Sequence, residues 1–119
     1  TERFPMTITM KRVYDAPART DGRRVLVDRL WPRGCSKAKA RIDHWAREVA
    51  PSTALRKWYG HAPARWDEFR RRYFAELDAN PGEVRALRAA LGKGRATLLF
   101  GSKEERLNNA AALLEYLRR

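Results

Sequence analysis

Two short, largely apolar runs constrain the fold of this chain more than any other feature. They are VLV at residues 25–27 and ATLLF at residues 96–100. A strand with one face in water alternates between apolar and polar residues, whereas a strand inside a parallel sheet is buried on both faces. Parallel strands also need a crossover connection, and the segment between the two runs is long enough for several helices. The two runs therefore predict two parallel strands joined by a helical crossover.

The segment between the two runs carries helical signals throughout. Apolar residues recur three or four positions apart, prolines stand at helix starts, and glycines follow helix ends. These signals predict four helices, which start at Ser36, Pro51, Pro63 and Asn80 and end near Val49, Gly60, Leu77 and Gly92. A strand at residues 7–14 and a last helix from Ser102 complete the pattern. We predict an α/β fold, a small open and at least partly parallel sheet of three or more strands flanked by about five helices.

Length and composition indicate one globular domain over residues 1–119, in which we expect residues 1–6 to be flexible. A hydrophobic fraction of 44% is enough for a core. The chain has no apolar stretch of membrane-spanning length, no secretory signal and one cysteine, Cys35, so we expect a cytoplasmic protein without a membrane partner. It also lacks a glycine-rich nucleotide loop, and the spacing of His44 and His61 fits no zinc site. We therefore predict no cofactor and no metal, and the oligomeric state stays open.

The charge of the chain favours anionic partners. Lysine and arginine number 26 against 14 aspartate and glutamate residues, which gives a net charge of +12. A field of this sign attracts a small anionic molecule or a nucleic acid. An arginine- and alanine-rich composition also arises from a GC-rich coding sequence without selection for binding. The run Arg70–Arg72 is most simply the solvated side of a helix, with nucleic-acid contact as the alternative.

Two segments follow the predicted buried strands. Residues 28–34 (DRLWPRG) follow the first strand, and Gly101 and Ser102 follow the second. Ligands of open α/β sheets bind outside the carboxyl ends of the strands. If the strands are neighbours, the two segments face each other across one crevice, which makes this edge the best candidate site.

The first segment contains side chains suited to an anionic ligand. Asp28 can act as a general base or orienting group, and Arg29 and Arg33 can clamp a phosphate. Trp31 offers a flat surface to a ring, and Ser102 would stand at a helix start that supplies N–H donors. The structural alternatives are an ion pair between Asp28 and an arginine, a core position for Trp31, and a simple N-cap role for Ser102.

Three further residues are less certain members of the site. His61 can exchange a proton near neutral pH, or it can hydrogen-bond a helix end. Asn108 and Asn109 can contact a ligand if they turn toward the crevice, or one of them can mark a late helix start. We predict Asp28 and His61 as the catalytic pair of any reaction, and Arg29, Trp31, Arg33, Ser102 and Asn108 as ligand-binding residues.

Four separated motifs resemble a known family. They are RRVLVDRLWPRG at residues 23–34, APST at 50–53, LRKWYGH at 55–61 and WDEF at 66–69. Their order is similar to that of domain-of-unknown-function family 488, in its short YeaO-like branch, over nearly the whole chain. The resemblance implies an α/β fold and the bacterial cytoplasm, and it implies no particular activity.

The departures from that family bear on mechanism. This chain has Ala62 where short-branch members usually have Asp, and Leu107 where they often have His. The longer branch resembles Cys-Ala-Glu and Cys-His-Arg in the region that is here Phe-Gly-Ser at 100–102 and Leu-Asn-Asn at 107–109. An acid/base or thiol mechanism built on those positions is therefore disfavoured.

Three functions are compatible with the sequence, and whether the chain is an enzyme stays open. The first is a binding site, catalytic or not, for a small phosphorylated or nucleotide-like anion at residues 28–34. The second is a nucleic-acid-binding module that uses the basic surface. The third is a protein-interaction domain without chemistry.

Overall fold

The structure is a computed structural model that describes residues 7–119, so the prediction for residues 1–6 lies outside the described residues. It contains a four-stranded sheet in which every pairing is parallel, with the strand order β1-β4-β2-β3. The strands are β1 (Ile8–Arg12), β2 (Arg23–Leu26), β3 (His44–Trp45) and β4 (Ala96–Phe100). The predicted α/β class and the small open parallel sheet are confirmed.

The register aligns the carboxyl ends of the three longer strands. Phe100 of β4 is level with Arg12 of β1 on one side, and Leu99 of β4 is level with Leu26 of β2 on the other. Beyond the strands, the Val27 N–H donates to the Leu99 carbonyl at 3.0 Å, which continues the pairing of β2 with β4. The chain therefore leaves β2 and β4 side by side, at the end of the sheet formed by the carboxyl ends of the strands.

Five α-helices accompany the sheet. They are α1 (Lys37–Ala40), α2 (Thr53–Tyr59), α3 (Trp66–Asp78), α4 (Pro81–Leu91) and α5 (Asn109–Leu117). Short 3-10 turns span Arg19–Asp21, Arg47–Val49 and Pro63–Arg65. Helices α4 and α5 pack on one face of the sheet, and α3 and α2 pack in turn against them, so that all four share one apolar core with Val25, Val27, Leu98 and Phe100. This burial is the main source of stability, because apolar area removed from water contributes about 25 cal/mol per Å².

A smaller cluster covers the other face of the sheet. It consists of Val13, Leu26, Ala40, Ile42 and Leu99, with Trp31, Cys35 and Trp45 packed against it. Helix α1 and the loop that follows β2 supply most of this layer. Thus the segment after β2 begins at the carboxyl edge and crosses this face to reach β3.

The predicted helix from Ser36 to Val49 is wrong. Helix α1 ends at Ala40, Arg41 takes a left-handed conformation with a φ of 52°, and β3 pairs with β2. Two hydrogen bonds show why: the Asp43 N–H donates to the Arg24 carbonyl at 2.8 Å, and the Asp43 carboxylate accepts from the Arg24 N–H at 2.8 Å. The open edge of β2 is satisfied by this segment, and tertiary pairing overrides its helical spacing.

The last helix starts later than Ser102. Helix α5 begins at Asn109, and the Asn108 side chain caps it by accepting a hydrogen bond from the Ala111 N–H at 2.9 Å. The Ser-Lys-Glu-Glu sequence forms a local loop instead, in which the Ser102 hydroxyl accepts from the Glu104 N–H at 2.9 Å. Short polar side chains compete with helix formation in this way. The alternative of a late helix start at an asparagine is confirmed.

Candidate functional site

A pocket of about 200 Å³ opens at the carboxyl ends of β2 and β4. Five of the residues predicted from the sequence line it: Asp28, Arg29, His61, Ser102 and Asn108. The other lining residues are Leu30, Pro51, Arg56, Tyr59, Phe69 and Asn109. The two segments that follow the strands thus meet at one pocket, as the parallel arrangement requires.

The Asp28 carboxylate is held from two directions. Its Oδ2 accepts a hydrogen bond from the Gly101 N–H at 2.8 Å, and its Oδ1 accepts from the Asn109 side-chain amide at 3.1 Å. A Cβ atom at position 101 would lie 3.2 Å from Oδ2, so glycine leaves room for this approach. The end of β4 and the first residue of α5 together fix the orientation of the carboxylate.

Burial dominates the titration of Asp28. Removal from water raises the pKa of this carboxyl above its usual value, although the hydrogen bonds from Asn109 and Gly101 and the charge of Arg56 act in the opposite direction. The side chain is only half-buried. It is therefore a fixed acceptor whose conjugate acid is more stable than that of an aspartate in water.

Most of the Arg29 guanidinium is used within the protein. Its Nε donates to the Pro51 carbonyl at 3.2 Å, and its Nη2 donates to the Ala50 carbonyl at 2.9 Å. Its Nη1 lies 3.8 Å from the carboxylate of Glu48. Arg29 thus holds the chain that leads into α2. Because most of its N–H donors are already used, its main contribution to the pocket wall is its positive charge.

Arg56 is the second cation of the pocket, and the sequence analysis did not select it. It is exposed on α2, and among residues 7–119 its guanidinium has no carboxylate or hydrogen-bond partner. Its charge nevertheless reaches Asp28 and favours the ionised carboxylate. The signal was present in the LRKWYGH motif, because Arg56 lies three residues before Tyr59 and hence on the same side of a helix.

His61 reaches the pocket through a left-handed turn at the end of α2. Gly60 and His61 have φ values of 53° and 57°, and a positive φ is uncommon for a residue with a side chain. The imidazole centre lies 6.0 Å from that of the Tyr59 ring. His61 and Asp28 both line this pocket, and their role as an acid/base pair stays a prediction.

Two aromatic rings form the apolar wall of the pocket. Tyr59 and Phe69 stack with their ring centres 4.4 Å apart, and the Tyr59 hydroxyl donates to the Leu107 carbonyl at 2.8 Å. Burial and the nearby Glu104 carboxylate raise the pKa of Tyr59. This neutral phenol joins α2 to the loop that precedes α5.

The loop between β4 and α5 is organised by its own side chains. The Glu104 carboxylate accepts from the N–H groups of Arg106 at 2.8 Å and Leu107 at 3.1 Å, which lowers its pKa. The buried Asn108 amide donates to the Glu104 carbonyl at 2.8 Å. Asn108 lines the pocket, but its oxygen and nitrogen both serve the helix start, whereas the neighbouring Asn109 contacts Asp28.

Trp31 and Arg33 do not reach the pocket. The Trp31 indole donates to the Cys35 carbonyl at 2.8 Å and packs edge-on against Trp45, in the cluster on the other face of the sheet. Arg33 is exposed, and its carbonyl accepts a hydrogen bond from the Tyr14 hydroxyl at 2.9 Å. These residues are close to Asp28 in the sequence, but after Leu30 the chain turns to the opposite face of the sheet.

Two features are absent from the described part of the chain. Across residues 7–119, no three histidine, cysteine, aspartate or glutamate side chains are grouped so that they could hold a metal ion. In the same residues, every helix is too short or too polar to cross a membrane.

Comparison with known proteins places the chain in a family. Residues 7–119 match the family DUF488-N3i, described as "Inactive DUF488-N3 subclade". "Uncharacterized protein YeaO" of Escherichia coli (strain K12) is 42% identical over 113 residues, which cover 95% of this chain and 98% of that protein. "Uncharacterized protein Rv3073c" of Mycobacterium tuberculosis (strain ATCC 25618 / H37Rv) is 39% identical over 110 residues, or 92% of each chain. No solved structure gives a significant match. The chain therefore belongs to the DUF488 family, in the YeaO-like branch that its sequence motifs predicted.

Proposed function

We propose that the pocket at the carboxyl ends of β2 and β4 binds a small phosphorylated or nucleotide-like anion. The observation that carries this proposal is Arg56, an exposed guanidinium that has no partner among residues 7–119 and lies on the wall of the pocket. An arginine of this kind can form a paired hydrogen bond with a phosphate or carboxylate. With Arg29 on the same wall, two cations stand against the single carboxylate of Asp28.

The polar groups of the pocket suit a ligand that also carries hydroxyl groups. An ionised carboxylate has about four acceptor sites, and two of those on Asp28 are used by Gly101 and Asn109. The remaining sites can accept a hydrogen bond from a sugar hydroxyl. The Ser102 oxygen accepts from Glu104, which leaves its hydroxyl hydrogen for a ligand oxygen.

The size and the apolar wall restrict the ligand further. Drug-sized ligands occupy pockets of about 300–1,000 Å³, whereas this pocket has a volume of about 200 Å³. A sugar phosphate fits this volume better than a dinucleotide does. The stacked rings of Tyr59 and Phe69 give the carbon face of a sugar or the edge of a base an apolar surface.

The proposal is binding and not turnover. Asp28 has both oxygens engaged, so it suits the role of an orienting acceptor. His61, which lines the same pocket, would donate a hydrogen bond to the anion. The description of the matching subclade as inactive supports this choice, as does Leu107 at a position where the resemblance led us to expect His.

Titration calorimetry with inorganic phosphate, ribose 5-phosphate and adenosine monophosphate tests the proposal. We expect Arg56→Gln to weaken binding of the preferred probe about tenfold to hundredfold, because a hydrogen bond to a charged group contributes about 1.5–3 kcal/mol. Lys57→Gln is the matched control, since Lys57 is exposed on the same helix and does not line the pocket. Equal affinities for the two variants, or no binding of any probe, would refute the proposal.

The other two functions have less support from the surfaces that the sequence suggested. Arg70 pairs with Asp67 at 3.0 Å and with Glu115 at 2.6 Å, and both remaining members of the Arg70–Arg72 run pair with Glu68. The arginine face of α3 is thus neutralised by carboxylates of α3 and α5, as a solvated helix side would be. Among residues 7–119, the exposed large apolar side chains are Tyr14 and Leu30, which is too few for a protein-binding patch.

A further inference from the structure

We propose that the amino-terminal edge of the sheet, at the opposite end from the pocket, binds the sugar–phosphate backbone of a nucleic acid. Five exposed basic residues gather there, and we call them the amino-edge strip: Arg19, Arg23, Arg41, Lys93 and Arg95. The proposal is independent of the small-anion pocket, because the two sites share no residue.

The sheet topology brings the amino-edge strip together. Arg23 opens β2, and its N–H donates to the Arg95 carbonyl at 3.0 Å, so these two residues lie side by side at the starts of neighbouring strands. Arg19 lies in the 3-10 turn just before β2, and Lys93 precedes β4 by a few residues. On the far side of β2, the Arg41 carbonyl accepts from the buried Arg24 side chain at 3.2 Å.

The charge of the strip is not neutralised within the described chain. Across residues 7–119, the ion pairs involve Lys11, Arg24, Arg29 and Arg70–Arg72, and no member of the strip. Asp21 lies between Arg19 and Arg23 in the sequence, but it is buried and its carboxylate pairs with Lys11 and Arg24. The exposed Asp43 has one carboxylate oxygen occupied by the Arg24 N–H. The strip therefore differs from the arginine face of α3, which carries its own counter-charges.

A shallow hollow beside the strip supplies hydroxyl groups. It has a volume of about 220 Å³ and is lined by Thr7, Thr9, Thr20, Arg95 and Ala96. Threonine hydroxyls and arginine side chains are the groups that proteins use most often to contact phosphate and sugar oxygens. A single phosphate could lie in the hollow while the neighbouring phosphates meet Arg23 and Arg19.

The amino-edge strip is wide enough to meet more than one phosphate. Neighbouring strands lie about 4.8 Å apart, so the basic residues near the amino ends of β4, β2 and β3 are spread over about 10 Å. B-form DNA carries one negative charge per about 1.7 Å of helix axis when both strands are counted, so several phosphates lie along this distance. The groups present recognise backbone and not base edges, and we therefore expect binding with little dependence on sequence.

Fluorescence anisotropy with labelled single-stranded and double-stranded oligonucleotides tests this proposal across a salt series. If five phosphates are neutralised, duplex affinity should fall about 500-fold as KCl rises fourfold. For the double variant Arg23→Gln/Arg95→Gln, which loses two of the contacts, the same change in salt should reduce affinity only about 40-fold. A shallower salt dependence together with weaker binding is the expected signature, and the stronger of the two probes identifies the strand form.

The matched control is the double variant Arg71→Gln/Arg72→Gln, which removes the same net charge from α3. It should keep the steep salt dependence, and Arg56→Gln should keep it as well, because the pocket is a separate site. Equal losses of affinity and of salt dependence in the two double variants would overturn the proposal, since binding would then depend on the net charge of the protein and not on the strip. No binding at low salt, or equally strong competition by polyglutamate, would also overturn it, the latter by favouring an acidic protein partner.

Discussion

The Asp28 carboxylate accepts a hydrogen bond from the Gly101 N–H at 2.8 Å, and this bond joins the segments that follow two neighbouring parallel strands. The same carboxylate accepts from Asn109, the first residue of α5. Three segments that are far apart in the sequence are thus tied at one side chain. The pocket wall depends on this connection, and several consequences can be measured.

Gly101→Ala should destabilise the fold by about 1 kcal/mol, because the added methyl group would crowd a fixed carboxylate. A Cβ atom at this position lies 3.2 Å from the Asp28 Oδ2. Gly94→Ala is the control, since a Cβ there meets nothing within 4 Å. Urea unfolding should separate the two variants, and equal unfolding free energies would show that Asp28 can move aside without cost.

Asp28→Asn should change how stability depends on pH. Burial raises the pKa of Asp28 above 3.8, so the folded state holds its proton more tightly than the unfolded state does. Wild-type stability from this group is present at low pH and is lost as the pH rises from that value through the folded pKa. As the pH rises through that range, the unfolding free energy of wild type should therefore fall relative to that of Asp28→Asn. A difference that is constant with pH would contradict the assigned direction.

Glu104→Gln should show the opposite pH dependence. Hydrogen bonds from the N–H groups of Arg106 and Leu107 lower the pKa of Glu104 below 4.5 in the folded state. Its contribution to stability is present above that value and is lost as the pH falls through the folded pKa. The stability advantage of wild type over Glu104→Gln should shrink on acidification. Glu105→Gln is the control in the same acid titration, because Glu105 is exposed and does not accept these two hydrogen bonds.

Asn108→Ala should destabilise the fold by about 2 kcal/mol. It removes the N-cap of α5, and it also leaves the Glu104 carbonyl without its side-chain donor. Ser36→Ala removes the N-cap of the short, exposed α1 and should cost only about 0.5–1 kcal/mol. Chemical denaturation of both variants checks the ratio. Similar costs would mean that burial of Asn108 adds nothing to its role as a cap.

The sequence predicted the sheet well because its signals are local. The runs at residues 25–27 and 96–100 are buried where the pattern predicted, and the glycines at 60 and 92 follow helices as expected. The failure at residues 36–49 has a different origin. Helical spacing there was satisfied by Ile42 and Trp45, but these side chains pack on the second face of the sheet from a strand and a loop. Pairing with β2 is a long-range interaction that no local pattern reports.

The site was predicted in part for the same reason. Strand-end geometry led us to expect Asp28 and Ser102 beside each other, and both line the pocket. Trp31 and Arg33 were grouped with Asp28 because they are close to it in sequence. The chain crosses to the opposite face of the sheet after Leu30, before it reaches either of them. Arg56 was overlooked because a lysine or arginine on an exposed helix usually faces solvent, and only the folded arrangement of α2 turns it toward Asp28.

The two-residue strand β3 has a consequence for the behaviour of the chain in solution. It occupies the outer edge of β2, where its flanking residues donate to the Arg24 and Leu26 carbonyls and the Asp43 carboxylate takes the remaining N–H of Arg24. An apolar strand with an unpaired edge is a template on which another chain can add. A short strand and one charged side chain close that template here, so the buried residues of β2 are withheld from strand-to-strand aggregation.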